Sequence, residues 1–341
     1  MAGHPRLQDG WIDRPHRRFE IGDLPLESGE TLRDAIVTWV VHGDEARLAE
    51  DAILLTTAIG STHHRLDFLI GAGRAFDPER HALIVVDALG NGLSSSPSNS
   101  AAQPGARFPR IAIADMVESQ RRLLDGLGIG RLAAVAGASM GGMQALQWAV
   151  SHPQRMDRVV AMTPMARTAR WSQLVNEMSR RALFVDAGCT VPRPRADAMR
   201  LWVPLTQLVM ARTPEALESF ATPAAMLDWL AEAESRAAVE GPDPFDWLCQ
   251  SRAYDDHDVG RTAGGTPAGT EPALAAIAAE VLVLAPALDL YNPGSAARDL
   301  AGAIPRGRFV ELPGHEGHRS ASGTAAGPTA VLQESIRAFL R

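Results

Sequence analysis

Cysteine is scarce: the 341 residues hold only Cys189 and Cys249, with no Cys-x-x-Cys pair. Two thiols make no disulfide framework, and a reducing compartment is the expectation. Residues 1–19 carry His, Arg and Pro but no apolar core, unlike a secretory signal. No uninterrupted apolar run reaches bilayer length. A cytoplasmic protein without membrane partners is therefore expected. Excess positive charge is absent too, since the formal net charge is -7. Arg121-Arg122 and Arg180-Arg181 sit in helical patterns and are too short for a phosphate-binding stripe, so nucleic acid is not an expected partner. No Gly-x-Gly-x-x-Gly follows the first strand, which removes support for a dinucleotide fold. Internal repeats and long low-complexity tracts are missing as well.

What remains is a chain with 46% hydrophobic and 21% charged residues, enough for one large domain with an insertion, or for two domains. Nearly continuous apolar runs at 52–57, 82–87, 132–136 and 158–163 read as strands buried on both faces, and 34–42 reads as an earlier strand. Between two of them, 110–127 has a helical face built on Met116, Val117, Gln120, Leu123, Leu124 and Leu127. This β–α–β alternation predicts an α/β protein with a mostly parallel sheet flanked by helices. Strand signals nearly vanish from 166 to 250. Helical stretches replace them at 171–183, 198–209, 214–220 and 224–238, suggesting a helical cap over the C-terminal edge of the sheet. A Gly-, Thr- and Pro-rich loop is expected at 261–270, strands again at 280–286 and 308–312, and a last helix at 329–340. The expected organisation is a first core part at 1–165, a cap at 166–260, and a second core part at 271–341.

The most informative motif is Gly137-Ala138-Ser139-Met140-Gly141-Gly142. A strand precedes it and a helical stretch, 143–150, follows it. In that context Gly-x-Ser-x-Gly is a sharp turn with a serine oxygen at its apex. The small residues let strand and helix backbones approach closely. A serine hydroxyl needs a base to take its proton, and the base needs a third group to orient it. On such sheets the partners follow in the order Ser, Asp or Glu, His. Asp289 lies just beyond the 280–286 strand and is the expected acid. Pro313-Gly314-His315-Glu316-Gly317-His318 offers two imidazoles after the final strand, and the residues alone leave both open as the base. Oxyanion donors are expected from the backbone N–H of Met140 and from the loop at Ala58, Ile59 and Gly60, with Ile59 the assigned donor. The glycines of Leu89-Gly90-Asn91-Gly92 serve either as turn formers or as a pocket floor. Asp255-Asp256-His257-Asp258 reads as a helix end or solvated turn, and His63-His64 as a core or surface pair. No metal site is expected.

With these motifs in place, the chain from Ile53 to Leu340 resembles the homoserine O-acetyltransferase family, a branch of the α/β-hydrolase superfamily. The resemblance rests on Leu69-Ile70-Gly71-Ala72-Gly73-Arg74-Ala75-Phe76-Asp77, on Gly137 to Gln144, on Asn176-Glu177-Met178-Ser179-Arg180-Arg181-Ala182, and on Asp256-His257-Asp258-Val259-Gly260-Arg261. It implies an α/β-hydrolase fold and a double displacement, in which a serine takes an acetyl group from acetyl-CoA and passes it to a small hydroxyl acceptor. It also implies a homodimer, no tightly bound cofactor, and acetyl-CoA or another acyl-CoA as co-substrate. Arg180 falls where the family binds the acceptor's carboxylate. Aligning Glu311-Leu312-Pro313 with the hydrolase-like members places the base at His318; the Gly-His-Asp pattern of homoserine acetyltransferases would place it at His315.

Two departures bear on the acceptor. The family's aspartate after the catalytic histidine, which helps hold an ammonium group, is Arg319 after His318, or Glu316 after His315. The family's Gly-Gly-x-x-Gly-Ser-Thr-Gly-Pro loop appears as Gly90-Asn91-Gly92-Leu93-Ser94-Ser95-Ser96-Pro97. The leading expectation is acyl transfer to a homoserine-like acceptor. The alternatives are hydrolysis of a small ester by the same acyl-serine route, and a non-catalytic ligand-binding protein on this fold.

Overall fold

A computed structural model describes residues 4–261 and 269–341. Eight strands form one sheet in the order β1-β2-β4-β3-β5-β6-β7-β8. They are β1 (Arg17–Pro25), β2 (Thr31–His42), β3 (Ala52–Thr56), β4 (Ala82–Val86), β5 (Leu132–Ala138), β6 (Met156–Met162), β7 (Glu280–Pro286) and β8 (Gly307–Leu312). β1 and β2 run antiparallel to their neighbours, and β4-β3-β5-β6-β7-β8 are parallel. The expected strands fall on β2 to β8 with small differences at the ends.

The central strands alternate between two buried faces. Leu54, Val135, Val159 and Val283 join one hydrophobic cluster, and Ile53, Ala134, Val160 and Leu284 join the other. A strand apolar on both faces needs helices on both sides. The first face is covered by α1 (Ile113–Gly126), α2 (Met140–Ser151) and α7 (Gly294–Ala303), through residues such as Met116, Leu146 and Leu300. The second is covered by α8 (Ala326–Phe339), through Leu332, Ile336 and Phe339. Because β3 to β7 point the same way, the loops after them converge at one edge, the edge where open α/β sheets bind ligands.

Between β6 and β7 the chain makes a helical insertion with four longer helices: α3 (Arg170–Leu183), α4 (Arg195–Val203), α5 (Pro223–Glu240) and α6 (Pro244–Asp255). Its two ends are stitched together where Thr168 N–H donates to His257 O at 3.0 Å and Val259 N–H to Ala166 O at 2.9 Å. The expected 198–209 helix is corrected: α4 stops at Val203, and Pro204–Met210 continues as a π-helix. Pro204 supplies no amide hydrogen, so the α-helical ladder is interrupted there. The expected 214–220 helix shrinks to one turn, Pro214–Leu217. The expected loop falls mainly on 262–268, outside the described residues. Among the described residues no helix is long and apolar enough to cross a membrane.

One contact between insertion and core predicts a pH effect. Asp246, in the first turn of α6, accepts from Ser98 N–H at 2.9 Å and from the Ser98 hydroxyl. Burial pushes its carboxyl up to about 7, outweighing the two Ser98 donors. An unfolded aspartate has already lost its proton by pH 5. Between pH 5 and about 7 the folded chain holds a proton that the unfolded chain does not, so this group's stabilisation is lost as pH rises through that window. Asp246→Asn is expected to remove about 1–3 kcal/mol of this pH dependence between pH 5 and 8. Urea unfolding of both proteins at the two pH values checks it; parallel pH profiles would refute the assignment.

Candidate active site

Ser139 links β5 to α2, with φ 57° and ψ −123°. That conformation is sparsely populated for any residue but glycine and persists only where the surroundings enforce it. Here the enforcement is close packing. A Cβ on Gly137 would stand 2.3 Å from the Gly141 carbonyl carbon, and one on Gly141 would stand 2.5 Å from Thr56 O. Thr56 Oγ1 donates to Gly141 O at 2.8 Å, tying the turn to β3. Gln144 Nε2 donates to Thr57 O at 2.8 Å and fixes the loop after β3 against α2. Behind it, Gln120 Nε2 donates to Gln144 Oε1 and Trp148 Nε1 donates to Gln120 Oε1. This buried polar chain keeps its members satisfied, which is what makes it a rigid support.

The structure brings Ser139, His318 and Asp289 into one hydrogen-bonded line. His318 Nε2 lies 2.8 Å from Ser139 Oγ, and His318 Nδ1 lies 2.8 Å from Asp289 Oδ2. The other carboxylate oxygen of Asp289 accepts from Tyr291 N–H at 2.8 Å and Asn292 N–H at 2.9 Å. Those amides set the carboxylate's orientation, and the carboxylate in turn favours the imidazole tautomer with its proton on Nδ1. His318 Nε2 is then free to accept from the serine hydroxyl. His315 is exposed; its backbone O accepts from the Thr213 hydroxyl.

Met140 is the first residue of α2, where backbone N–H groups lack intrahelical partners. In the loop after β3, Gly60 N–H is taken by Gln250 Oε1 at 2.8 Å. Ser61 N–H closes a turn on Ala58 O, with Ile59 inside that turn. Of the three loop residues considered, Gly60 is thereby committed to the insertion. Gln250 Nε2 also donates to Leu89 O at 3.0 Å, so one side chain of α6 pins both loops. A Cβ on Gly90 would stand 2.9 Å from Gln250 Cγ, giving this loop a packing reason for its glycine.

The sequence reading missed the layer around the histidine. Tyr291 and Tyr254 are fully buried, and the Tyr291 ring meets His318 edge-on at 5.1 Å. Burial pushes both phenols well above their ordinary range, so they stay protonated donors. Tyr291 donates to Asn176 Oδ1 at 2.7 Å, and Asn176 Nδ2 donates to Asp255 Oδ1 at 2.7 Å. Tyr254 donates to Asn292 Oδ1, and Asn292 Nδ2 donates to Thr163 O at 2.7 Å.

Arg180 joins the same network. Its guanidinium lies 2.7 Å from Asp255 and 3.0 Å from Glu177, and the residue is only 7% exposed. The acidic run of which Asp255 is part disperses. Asp256 pairs with Arg110 at 2.6 Å, and Asp258 accepts from Gly260 N–H and Thr270. His257 is buried, which pushes it down to about 4. Next to His318, Arg319 is pushed down first by burial and then by Arg212. Arg65, in turn, is pushed down to about 10 by burial and by Arg319.

Residues 53–320 match the family model described as alpha/beta hydrolase fold. The chain is 30% identical over 336 residues to a homoserine O-succinyltransferase from Leptothrix cholodnii, covering 86% of this chain and 88% of that protein. It is also 30% identical over 329 residues to an ethyl acetate hydrolase from Pseudomonas veronii, covering 92% and 91%. Among solved structures, that of the acetyl esterase MekB superposes with a TM-score of 0.85 at 29% identity, covering 96% of each chain. Strand order, serine turn and relatives agree: this chain belongs to the alpha/beta hydrolase fold family and is related to its homoserine-transferase and esterase branches.

Proposed function

We propose that this protein is a serine esterase that hydrolyses short-chain acyl esters of neutral alcohols. Ser139 Oγ attacks the ester carbonyl as His318 Nε2 takes its proton, while Asp289 stabilises the imidazolium. The backbone N–H groups of Met140 and Ile59 bind the developing oxyanion. Collapse breaks the ester C–O bond, and His318 returns the proton to the departing alcohol. Water then attacks the acyl-serine, again giving its proton to His318, and carboxylic acid leaves with Ser139 restored. The insertion, 166–260, serves as the cap over this centre.

The observation that carries hydrolysis over acyl transfer is the state of Arg180. The resemblance gives this residue to an amino-acid acceptor's carboxylate, yet its charge is already met by Asp255 and Glu177. Taking on a further carboxylate would mean separating a buried ion pair, a costly exchange. Arg319 stands where the transferases have an acid for the acceptor's ammonium, and like charges repel. The names of two relatives, ethyl acetate hydrolase and acetyl esterase, point the same way.

Acyl transfer from an acyl-CoA to a homoserine-like hydroxyl is the second reading. Its support is the homoserine O-succinyltransferase relative and the shared Asn176–Ala182 segment. Both readings use one acyl-serine and differ in what attacks it. The deciding experiment offers the protein ethyl acetate and other short esters in one arm, and acetyl-CoA with or without L-homoserine in the other. The expected result is acid release from the esters and no acceptor-dependent thiol release from acetyl-CoA. Acetylated homoserine, identified by mass and formed faster than free acetate, would overturn hydrolysis in favour of transfer.

A further inference from the structure

Four histidines gather away from the Ser139 line. His63 and His64 follow the loop after β3, and His4 and His16 come from the segment that leads into β1. One ring nitrogen from each lies within 4.8 Å of the other three. His63 Nδ1 faces Asp87 Oδ2 at 3.1 Å, and His64 Nδ1 faces Asp67 Oδ2 at 2.7 Å. Those carboxylates are 1% and 2% exposed. Each favours the tautomer with the proton on Nδ1, leaving a lone pair on Nε2. His63 Nε2 is buried without a hydrogen-bond partner, although the residue is only 1% exposed. His64 Nε2 lies 3.1 Å from His4 Nε2. A buried imidazole lone pair such as that of His63 Nε2 is unfavourable unless a donor or a cation meets it.

We propose that His4, His16, His63 and His64 form a tetrahedral site for one divalent transition-metal ion, zinc first. Four imidazoles at zinc–nitrogen distances of about 2.0–2.1 Å place their nitrogens roughly 3.3 Å apart, compatible with the observed gathering after small ring rotations. Imidazole-only ligation suits zinc, copper or nickel rather than magnesium or calcium. Asp87 and Asp67 supply outer carboxylates to two of the four ligands and balance the ion's two charges. Thr38 Oγ1 donates to Asp87 Oδ2 and Asn91 Nδ2 to Asp87 Oδ1, so that carboxylate is itself held. Four protein ligands close the coordination shell, which makes the role structural. The ion joins the N-terminal segment to the chain just beyond Ile59. Trp11 stacks on His64 at 4.2 Å and Ile12 N–H donates to Asp67 at 2.8 Å, lining the segment up for that join.

The test is metal uptake by the full chain, measured after chelator treatment and dialysis. With zinc added back, elemental analysis is expected to give about one equivalent per chain, with a higher Tm than the stripped protein. Cobalt in its place is expected to give the intense visible absorption of a tetrahedral centre. His4→Ala and His16→Ala alter only the partly exposed half of the cluster, so the core stays folded. Each is expected to weaken zinc binding at least ~10-fold, while His81→Ala, outside the cluster, binds as the wild type does. Failure of the stripped wild type to take up zinc, cobalt, nickel or copper at micromolar free metal would overturn the proposal. So would undiminished uptake by a His4→Ala/His16→Ala double variant that melts cooperatively.

Discussion

Replacing Ser139 by alanine is expected to lower kcat for short-ester hydrolysis by about 10⁴–10⁶-fold, with the fold retained. The reason is local: His318 Nε2 has one hydroxyl at 2.8 Å, and without it there is no atom to form the acyl-enzyme. A fluorophosphonate probe should add one label to the wild type and none to Ser139→Ala. A wild type that neither turns over short esters nor takes the probe would leave a ligand-binding protein as the better reading. The same position yields a stability test. Ser139 sits at φ 57°, so alanine keeps the backbone strain while glycine relieves it. Ser139→Gly is therefore expected to unfold about 1 kcal/mol harder than Ser139→Ala, with both equally inactive. Equal stability would show that the turn is not strained at this residue.

Much of the sheet was legible because strands buried on both faces must be largely apolar, as β4 is throughout and β3 is up to its last residue, Thr56. β1 escaped for the opposite reason. It is a largely exposed edge strand of sequence RRFEIGDLP, and its charges resemble those of a solvated arm. α6 escaped because its buried residues include Asp246, Gln250 and Ser251, polar groups placed by partners from other elements. Local sequence contains no sign of those partners.

The same distinction runs through the site. The serine turn carries its requirement in adjacent residues, Gly137 to Gly141, and could be read directly. Choosing His318 over His315 required the loop's path, which the residues alone left open. Arg180 was legible only as a family position; that Asp255 compensates it depends on α3 lying against α6, about 75 residues later. His63 and His64 looked like an ordinary pair because His4 is sixty residues upstream of His64 and meets it only through the fold.

Asp289→Asn is expected to cost about 10⁴ in kcat, a barrier increase of roughly 5 kcal/mol, with KM little changed. The substitution is nearly isosteric, so packing does not explain the loss. The asparagine oxygen would take the place that accepts from Tyr291 and Asn292 N–H, leaving its NH₂ group facing His318 Nδ1. Two donors cannot share that contact. The imidazole then carries its proton on Nε2, where it faces the Ser139 hydroxyl as a donor and cannot accept the serine proton. The loss therefore comes from the wrong tautomer rather than from a missing residue. A Ser139→Ala/Asp289→Asn double variant should be no slower than Ser139→Ala alone, because residues that act as one unit are not additive. Stability should change little, since the two backbone amides keep an acceptor. If Asp289→Asn retained more than a tenth of the wild-type kcat, Asp289 would not be orienting the base, and the orienting group would have to be sought elsewhere on the edge of the sheet.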